Sequence, residues 1–222
     1  MNRLSQSQPK AQILVVDDHP IVRRGFLQLI NQETDLEVCG EAETMNEAYT
    51  LIGRLRPNLI ILDISLKDGN GLDLLKRIPA DFPGLPVLVV SMHDEALYAE
   101  RVIRLGARGY VMKEEAEDTV IAAIRQVLEG KIYLSKPVQE RLVQSFTRSR
   151  AGEGESPIHS LSNRELEIFR FIGEGLGTRQ IAERLQVSVK TIESYRARIK
   201  QKLRLTTGPE LIQQAVLWVQ NR

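Results

Sequence analysis

Apolar residues in the first 130 positions follow two different periods. Unbroken runs at Ile13–Val16, Leu59–Leu62 and Val87–Val90 have the length and branched side chains of strands buried on both faces. Val38–Cys39 and Gly109–Met112 read as shorter strands, with Cys39 expected inside. Between the runs lie helical patterns at Ile21–Gln32, Met45–Arg54, Gly71–Ile78, Leu97–Leu105 and Ala116–Gly130. Pro57, Gly69, Pro83-Gly84, Pro86, Gly106 and Gly130 mark the joints. Five strands alternating with five helices predict an α/β fold, a doubly wound five-stranded parallel sheet covered on both faces. In such a sheet the loops leaving the strands gather at one edge, where ligands bind.

The pattern then changes. Ser145–Pro157 (SFTRSRAGEGESP) has little apolar content and reads as a solvated linker, with a helix expected over Gln139–Phe146. From Leu161 onward the signal is all helical. Ser162-x-x-Glu165 has the spacing of a capping box ahead of Leu166, Phe169 and Ile172. Thr178–Gln186 is a short second helix, Ser188 caps a third that runs to about Leu203, and Thr207-x-x-Glu210 opens a fourth. The tight Gln186–Val187 joint between the second and third predicts a helix-turn-helix. The expected organisation is a domain over residues 11–130, a linker over 131–157 and a four-helix domain over 158–222.

Composition sharpens this division. The 222 residues carry a net charge of +1. Residues 1–130 hold 14 basic and 20 acidic side chains, whereas residues 158–222 hold 11 basic and 6 acidic. Opposite signs in two blocks imply different partners, and the basic block suits a polyanion. The single Cys39 excludes an internal disulfide framework, and no apolar run approaches the roughly 20 residues that span a bilayer. The polar start MNRLSQSQPK lacks a signal-peptide core, so a soluble, cytoplasmic protein with no membrane partner is expected.

Candidate chemistry sits at the predicted strand ends. Asp17 and Asp18 follow the first strand, Asp63 the third, Ser91 the fourth and Lys113 the fifth. Any one of them reads equally well as a solvated loop residue. All five in strand-end register would meet at one sheet edge. Carboxylates crowded there repel one another unless a cation intervenes, and hard oxygen donors suit Mg²⁺. A carboxylate in that setting can attack a phosphoryl group, with a metal, a hydroxyl and an ammonium to neutralise its oxygens. A nucleotidase P-loop is absent. Ser65 stands where an aspartyl-phosphate phosphatase would need a second acid, so the chain is read as no enzyme. His19 and His93 flank the site and read as loop residues rather than ligands.

In the basic block, Ile192, Tyr195, Ile199 and Leu203 share one side of the third helix. Lys190, Ser194, Ala197 and Gln201 take the opposite side, ringed by cations. Taken alone this could be a solvated basic face; after a helix-turn it suits a major groove.

The segments ILVVDDHPIVRRGF, LIILDISLKDGNGLDLLKRI, VLVVSMHD and GARGYVMK resemble the receiver domain of two-component response regulators. With the C-terminal block the chain is similar to the NarL/FixJ family, whose output is a LuxR-type helix-turn-helix. The resemblance implies a flavodoxin-like receiver in which Asp63 accepts phosphate from a sensor histidine kinase. It implies Mg²⁺ held by Asp17, Asp18, Asp63 and the backbone carbonyl of Ser65. Ser91 would be the switching hydroxyl, Lys113 the ion-pairing lysine and Tyr110 the aromatic that moves with it, although a plain half-buried tyrosine fits Tyr110 by spacing alone. It also implies base contacts from Glu193, Ser194 and Ala197, and phosphate contacts from Lys190, Thr191, Arg196, Arg198 and Lys200. Double-stranded promoter DNA bound by a homodimer follows, with RNA polymerase as a further candidate partner. Two departures stand out. Lys67 replaces the proline usual four residues after the acceptor, implying a looser loop or an extra cation near the phosphate. Glu114 follows Lys113 where many receivers have proline, a change common in this subfamily. The expected function is a phosphorylation-controlled DNA-binding transcription regulator. The alternative is a phosphorylation-independent regulator that uses its receiver for dimerisation or docking.

Overall fold

The computed structural model describes residues 9–115, 117–142 and 157–220. The chain divides into two compact units, Met1–Ser145 and Phe146–Arg222. In the first, strands β1 (Ala11–Val16), β2 (Leu36–Ala42), β3 (Leu59–Leu62), β6 (Val87–Ser91) and β7 (Gly109–Met112) form the expected parallel sheet, in the order β2-β1-β3-β6-β7. Because β2 and β3 lie on opposite sides of β1, the order reverses between β1 and β3, which opens a crevice at their carboxyl ends. A two-residue hairpin not anticipated from the sequence, β4 (Ser65–Leu66) with β5 (Gly69–Asn70), follows β3.

Alternation along the strands builds two cores. Leu14, Val16, Ile60, Leu62 and Val89 face a cluster completed by α2 (Met45–Leu55), α3 (Gly71–Asp81) and α4 (Glu95–Arg104). Ile13, Val15, Leu59, Ile61 and Val90 face α1 (Pro20–Asn31) and α5 (Glu117–Leu128). Each fully buried aliphatic side chain contributes about 1.5–3 kcal/mol, so this sheet is a rigid platform for whatever its edge carries.

Several boundaries differ from the sequence reading, each for a local reason. β2 is longer than Val38–Cys39 because it is an edge strand with half-exposed residues, whose polar side chains hide the apolar signal. Its register slips so that Ile13 pairs with Val38 and Leu14 with Gly40. Cys39 is the unpaired residue of this bulge, half-buried rather than buried, and its thiol donates to the Ile13 carbonyl at 3.4 Å. α3 runs past Ile78 to Asp81 with Pro79 inside its last turn, and the Phe82 N–H closes the helix on the Ile78 carbonyl at 2.8 Å. α4 starts two residues early, at Glu95, because Asp94 caps the Ala96 N–H at 2.9 Å.

Residues 133–142 fall within the span 131–157 read as a linker, and they pack on the first unit. Tyr133 bridges to Gly109, and residues 136–142 are helical (α6), with Leu134, Val138 and Leu142 buried in the α2–α4 core. Ala116, residues 145–156 of the polar stretch and the part of the Gln139–Phe146 helix beyond Leu142 lie outside the described residues.

The second unit opens with a 3-10 turn (Pro157–Ser160) and continues with α7 (Asn163–Gly173), α8 (Thr178–Arg184), α9 (Val189–Leu203) and α10 (Gly208–Gln220). The capping box at α7 is formed: Ser162 Oγ accepts from Glu165 N at 3.3 Å and Glu165 Oε2 from Ser162 N at 2.6 Å. α10 lies against α7 at Gly173, where a Cβ would stand 2.4 Å from the Ala215 carbonyl. Phe169 and Trp218 close that contact at 5.4 Å. Between α8 and α9, Gln186 turns the chain with a positive φ of 52°, while Val187 N returns to the Ala182 carbonyl at 3.0 Å.

Candidate functional site

Backbone hydrogen bonds carry the sheet one residue past each strand and so fix the site. Asp17 N donates to the Ala42 carbonyl at 3.0 Å, Asp63 N to Val16 at 2.8 Å and Lys113 N to Ser91 at 2.9 Å. Asp17 and Asp63 therefore stand on either side of the crevice between β1 and β3. The loop after Asp63 turns tightly. Gly71 N donates to the Ile64 carbonyl at 2.7 Å, and any Cβ at residue 71 would lie 2.1 Å from the Asp63 carbonyl.

The side chains converge. The Lys113 ammonium lies 2.6 Å from Asp17 Oδ2 and 2.7 Å from Asp63 Oδ2, with all three side chains at most 4% exposed. Ligand atoms of Asp17, Asp18, Asp63 and His19 lie within 4.8 Å of one another. Asp18 Oδ1 is buried and accepts no hydrogen bond, with His19 Nδ1 2.7 Å away. An orphaned carboxylate oxygen among three acids is the donor set a hard divalent cation needs, so Mg²⁺ fits these residues. His19, read as a loop residue, joins the cluster; its N–H donates to Asp17 Oδ1 at 2.8 Å.

Ser65 begins the β4–β5 hairpin, with its hydroxyl 3.1 Å from His93 Nε2. Ser91 is buried, and its Oγ lies 3.5 Å from the His93 N–H. Tyr110 is fully buried rather than half-buried, and its hydroxyl donates to the His93 carbonyl at 2.6 Å. Burial above all holds that hydroxyl protonated far beyond the ordinary tyrosine range; the Tyr98, Asp63 and Glu95 charges add to this and a hydrogen bond with Ser91 opposes it. His93 thus contacts both the β4–β5 hairpin, through Ser65, and the Tyr110 side chain.

Sequence reasoning missed Arg23. Its guanidinium, only 10% exposed, donates to the Asp17 carbonyl at 2.7 Å and to Glu43 Oε1 at 2.5 Å. The signal was present in the register: Arg23, Phe26 and Ile30 form the buried face of α1 at helical spacing. Lys67 ion-pairs with Glu43.

In the second unit, Ser188 caps α9 by accepting from Thr191 N at 3.0 Å and sharing a hydrogen bond with the Thr191 hydroxyl at 2.7 Å. Ile192 and Ile199 are buried, with Tyr195 and Leu203 against the same core. Lys190, Glu193, Ser194, Ala197 and Arg198 are exposed; Thr191, Arg196 and Lys200 are half-buried. Ser194 Oγ donates to the Lys190 carbonyl at 3.0 Å. Burial lowers the pKa of Arg196, with Glu193 opposing, but a guanidinium remains charged. Glu165, also missed as a partner, is buried and accepts from Lys202 on α9 at 2.6 Å, which ties the exposed helix to the start of α7. No helix among the described residues is long and apolar enough to cross a membrane.

Comparison with known proteins agrees with both units. Residues 13–125 match the response regulator receiver domain, and residues 159–215 match the bacterial regulatory proteins of the luxR family. The chain is 37% identical over 208 residues to the oxygen regulatory protein NreC of Staphylococcus carnosus strain TM300, covering 92% of this chain and 96% of that one. A structure of RcsB from Salmonella enterica serovar Typhimurium, bound to promoter rprA in the presence of phosphomimetic BeF3⁻, superposes with a TM-score of 0.58. Its identity is 27%, over 92% of this chain and 98% of that one. A structure of two RcsB dimers bound to two parallel DNAs gives a TM-score of 0.57 at 27% identity, over 92% and 97% of the two chains. The chain belongs to the NarL/FixJ family of two-component response regulators, DNA-binding transcription regulators that join a receiver domain to a LuxR-type helix-turn-helix.

Proposed function

We propose that this regulator is switched by phosphorylation of Asp63. An Asp63 carboxylate oxygen bonds to the phosphorus of a phosphohistidine on a sensor kinase as the P–N bond breaks, and the electron pair leaves on the imidazole. Asp17, Asp18, Asp63 and the Ser65 carbonyl are assigned to Mg²⁺, which when bound supplies positive charge against the crowded oxygens. Lys113 starts 2.7 Å from Asp63 Oδ2 and needs little movement to pair with the added phosphoryl oxygens. Ser91 supplies a hydroxyl from the end of β6. Tyr110, released from or retained by the His93 carbonyl, carries the change to the α4–β7 surface.

The observation that carries this reading is the buried Lys113 ammonium between Asp17 and Asp63, beside the orphaned Asp18 oxygen. We assign the receiver to 11–130, the connection to 131–157, whose residues 133–142 pack on the receiver core, and the output to 158–222. Phosphorylation favours a homodimer that sets two copies of α9 on promoter DNA, as RcsB dimers sit on theirs. Glu193, Ser194 and Ala197 face bases, and Lys190, Thr191, Arg196, Arg198 and Lys200 face phosphates. The partners are then a sensor histidine kinase, duplex DNA and RNA polymerase, in the cytoplasm. The phosphate-independent alternative drew on Lys67; with that ammonium paired to Glu43, the observation no longer favours it.

Incubation with Mg²⁺ and acetyl phosphate tests the proposal. Intact-mass measurement is expected to find one phosphoryl group on the wild type and none on Asp63→Asn, with tighter DNA binding by the labelled protein. An unlabelled wild type, or labelling without any change in DNA affinity, would overturn it.

A further inference from the structure

We infer that Lys67, Glu43 and Arg23 form an ionic tether that positions the metal-binding loops, replacing the stiffness of a proline with a chain of charges. Glu43, just past β2, uses both carboxylate oxygens: Oε1 accepts from Arg23 at 2.5 Å, and Oε2 pairs with Lys67. The other end of the Arg23 guanidinium holds the Asp17 carbonyl at 2.7 Å. One continuous path thus joins the loops after β1, β2 and β3. The neighbouring residue ties the same hairpin a second time. Asp68 Oδ1 accepts from Met45 N at 2.8 Å and Oδ2 from Asn46 N at 3.4 Å, at the start of α2. The hairpin that carries Ser65 is therefore fastened to the β2–α2 junction by two consecutive side chains. Lys67 and Glu43 are too exposed for their pair to add much global stability. Its effect is local, on where the Ser65 carbonyl and Asp17 stand.

The inference rests on the reading of the acidic pocket as a Mg²⁺ site, and the sign of one measurement decides it. A lysine acting only as a nearby cation would repel Mg²⁺, so Lys67→Ala would bind the ion more tightly. A lysine acting as a tether predicts the opposite. Calorimetric titration of Mg²⁺ into the full-length, unphosphorylated protein is expected to show Lys67→Ala weaker by about three- to tenfold. That is at or below the roughly tenfold minimum usual for outer partners of metal ligands, as suits an exposed pair. Lys67→Arg keeps the pair and is expected to stay within about twofold of wild type, because an arginine can reach the same carboxylate. Glu43→Gln is expected to weaken binding at least as much as Lys67→Ala, and adding Lys67→Ala to it to cost nothing more. Unchanged or tighter binding by Lys67→Ala, or failure of Lys67→Arg to restore it, overturns the tether. A wild type that binds no Mg²⁺ overturns the metal reading and the tether with it. A wild type that binds Mg²⁺ but takes no phosphoryl group overturns only the proposed switching, and the tether is then judged on the titrations.

Discussion

Lys113 and Asp63 meet at 2.7 Å with both side chains almost wholly buried, and the same ammonium reaches Asp17 at 2.6 Å. One cation thus serves two buried anions. Removing one member of a buried charge cluster leaves the rest uncompensated and costs about 3–5 kcal/mol. Lys113→Met keeps most of the volume and deletes the charge. It is expected to lower stability by about that amount in chelator-treated buffer, with millimolar Mg²⁺ restoring more in the variant than in the wild type. Urea unfolding with and without Mg²⁺ measures both. A variant as stable as wild type without metal would mean that the ammonium does not neutralise the pocket.

Tyr110 gives a test that needs no ligand. Its hydroxyl, far above the ordinary tyrosine value of 10.0 because it is buried, keeps its proton in the folded protein while the unfolded chain releases it. The folded state then binds more protons than the unfolded state, so stability falls as pH rises above about 10, by roughly 1.4 kcal/mol per pH unit. Tyr110→Phe is expected to remove that slope. At neutral pH the same variant is expected to lose about 1–2 kcal/mol, since the His93 carbonyl loses its donor. Urea midpoints at pH 7 and at pH 10–11 check both; equal slopes in the two proteins would count against a buried hydroxyl.

Much of this was legible in the sequence because it rests on short-range rules. Leu59–Leu62 is a strand with the expected bounds, since a continuous apolar run leaves little choice, and Gly109–Met112, with a weaker pattern, also has the expected bounds. The register of Asp17, Asp63 and Lys113 follows from their places directly after such runs. The misses have the opposite origin. Arg23 is buried only because Glu43 and the Asp17 carbonyl, 20 and 6 residues away in the chain, receive it. Lys67 finds Glu43 across 24 residues, and Lys202 finds Glu165 across 37. Pairs of that kind carry no local period. The bulge at Cys39 is equally invisible, because the half-exposed residues of β2 show no alternation whose phase an inserted residue could shift.

Glu165 couples the output domain to acid pH. Burial raises its pKa, but the hydrogen bonds from Lys202 and Ser162 outweigh this and hold the carboxyl below the ordinary 4.5. With the folded pKa depressed, this contribution is complete above about pH 4.5 and is lost as pH falls through the lower folded value. Glu165→Gln deletes the charge while keeping an acceptor for the Ser162 N–H. It is expected to cost about 1 kcal/mol at pH 7, typical of a weakened cap, and to flatten the acid limb of the thermal midpoint between pH 5 and 3. A parallel acid limb in the variant would assign the pH dependence elsewhere.

On α9 the two proposed kinds of contact separate by salt. Lys190 and Arg198 are exposed on the helix's outer side, where their charge is free to replace counterions on a phosphate. Each such contact contributes about 0.9 to the slope of log affinity against log salt. Lys190→Ala and Arg198→Ala are each expected to reduce that slope by about one and to weaken cognate and random duplexes alike. Glu193→Ala is expected to behave differently. An exposed carboxylate with no phosphate role adds no favourable counterion release, and its removal takes away an acceptor for a cytosine amino group. Binding to a selected site is expected to fall by about 1–3 kcal/mol, with affinity for random DNA unchanged or improved. Fluorescence anisotropy on both duplexes at several salt concentrations measures all three variants. If Glu193→Ala weakened both duplexes equally, or if the two cation variants kept the wild-type slope, α9 would not be the helix that reads the groove.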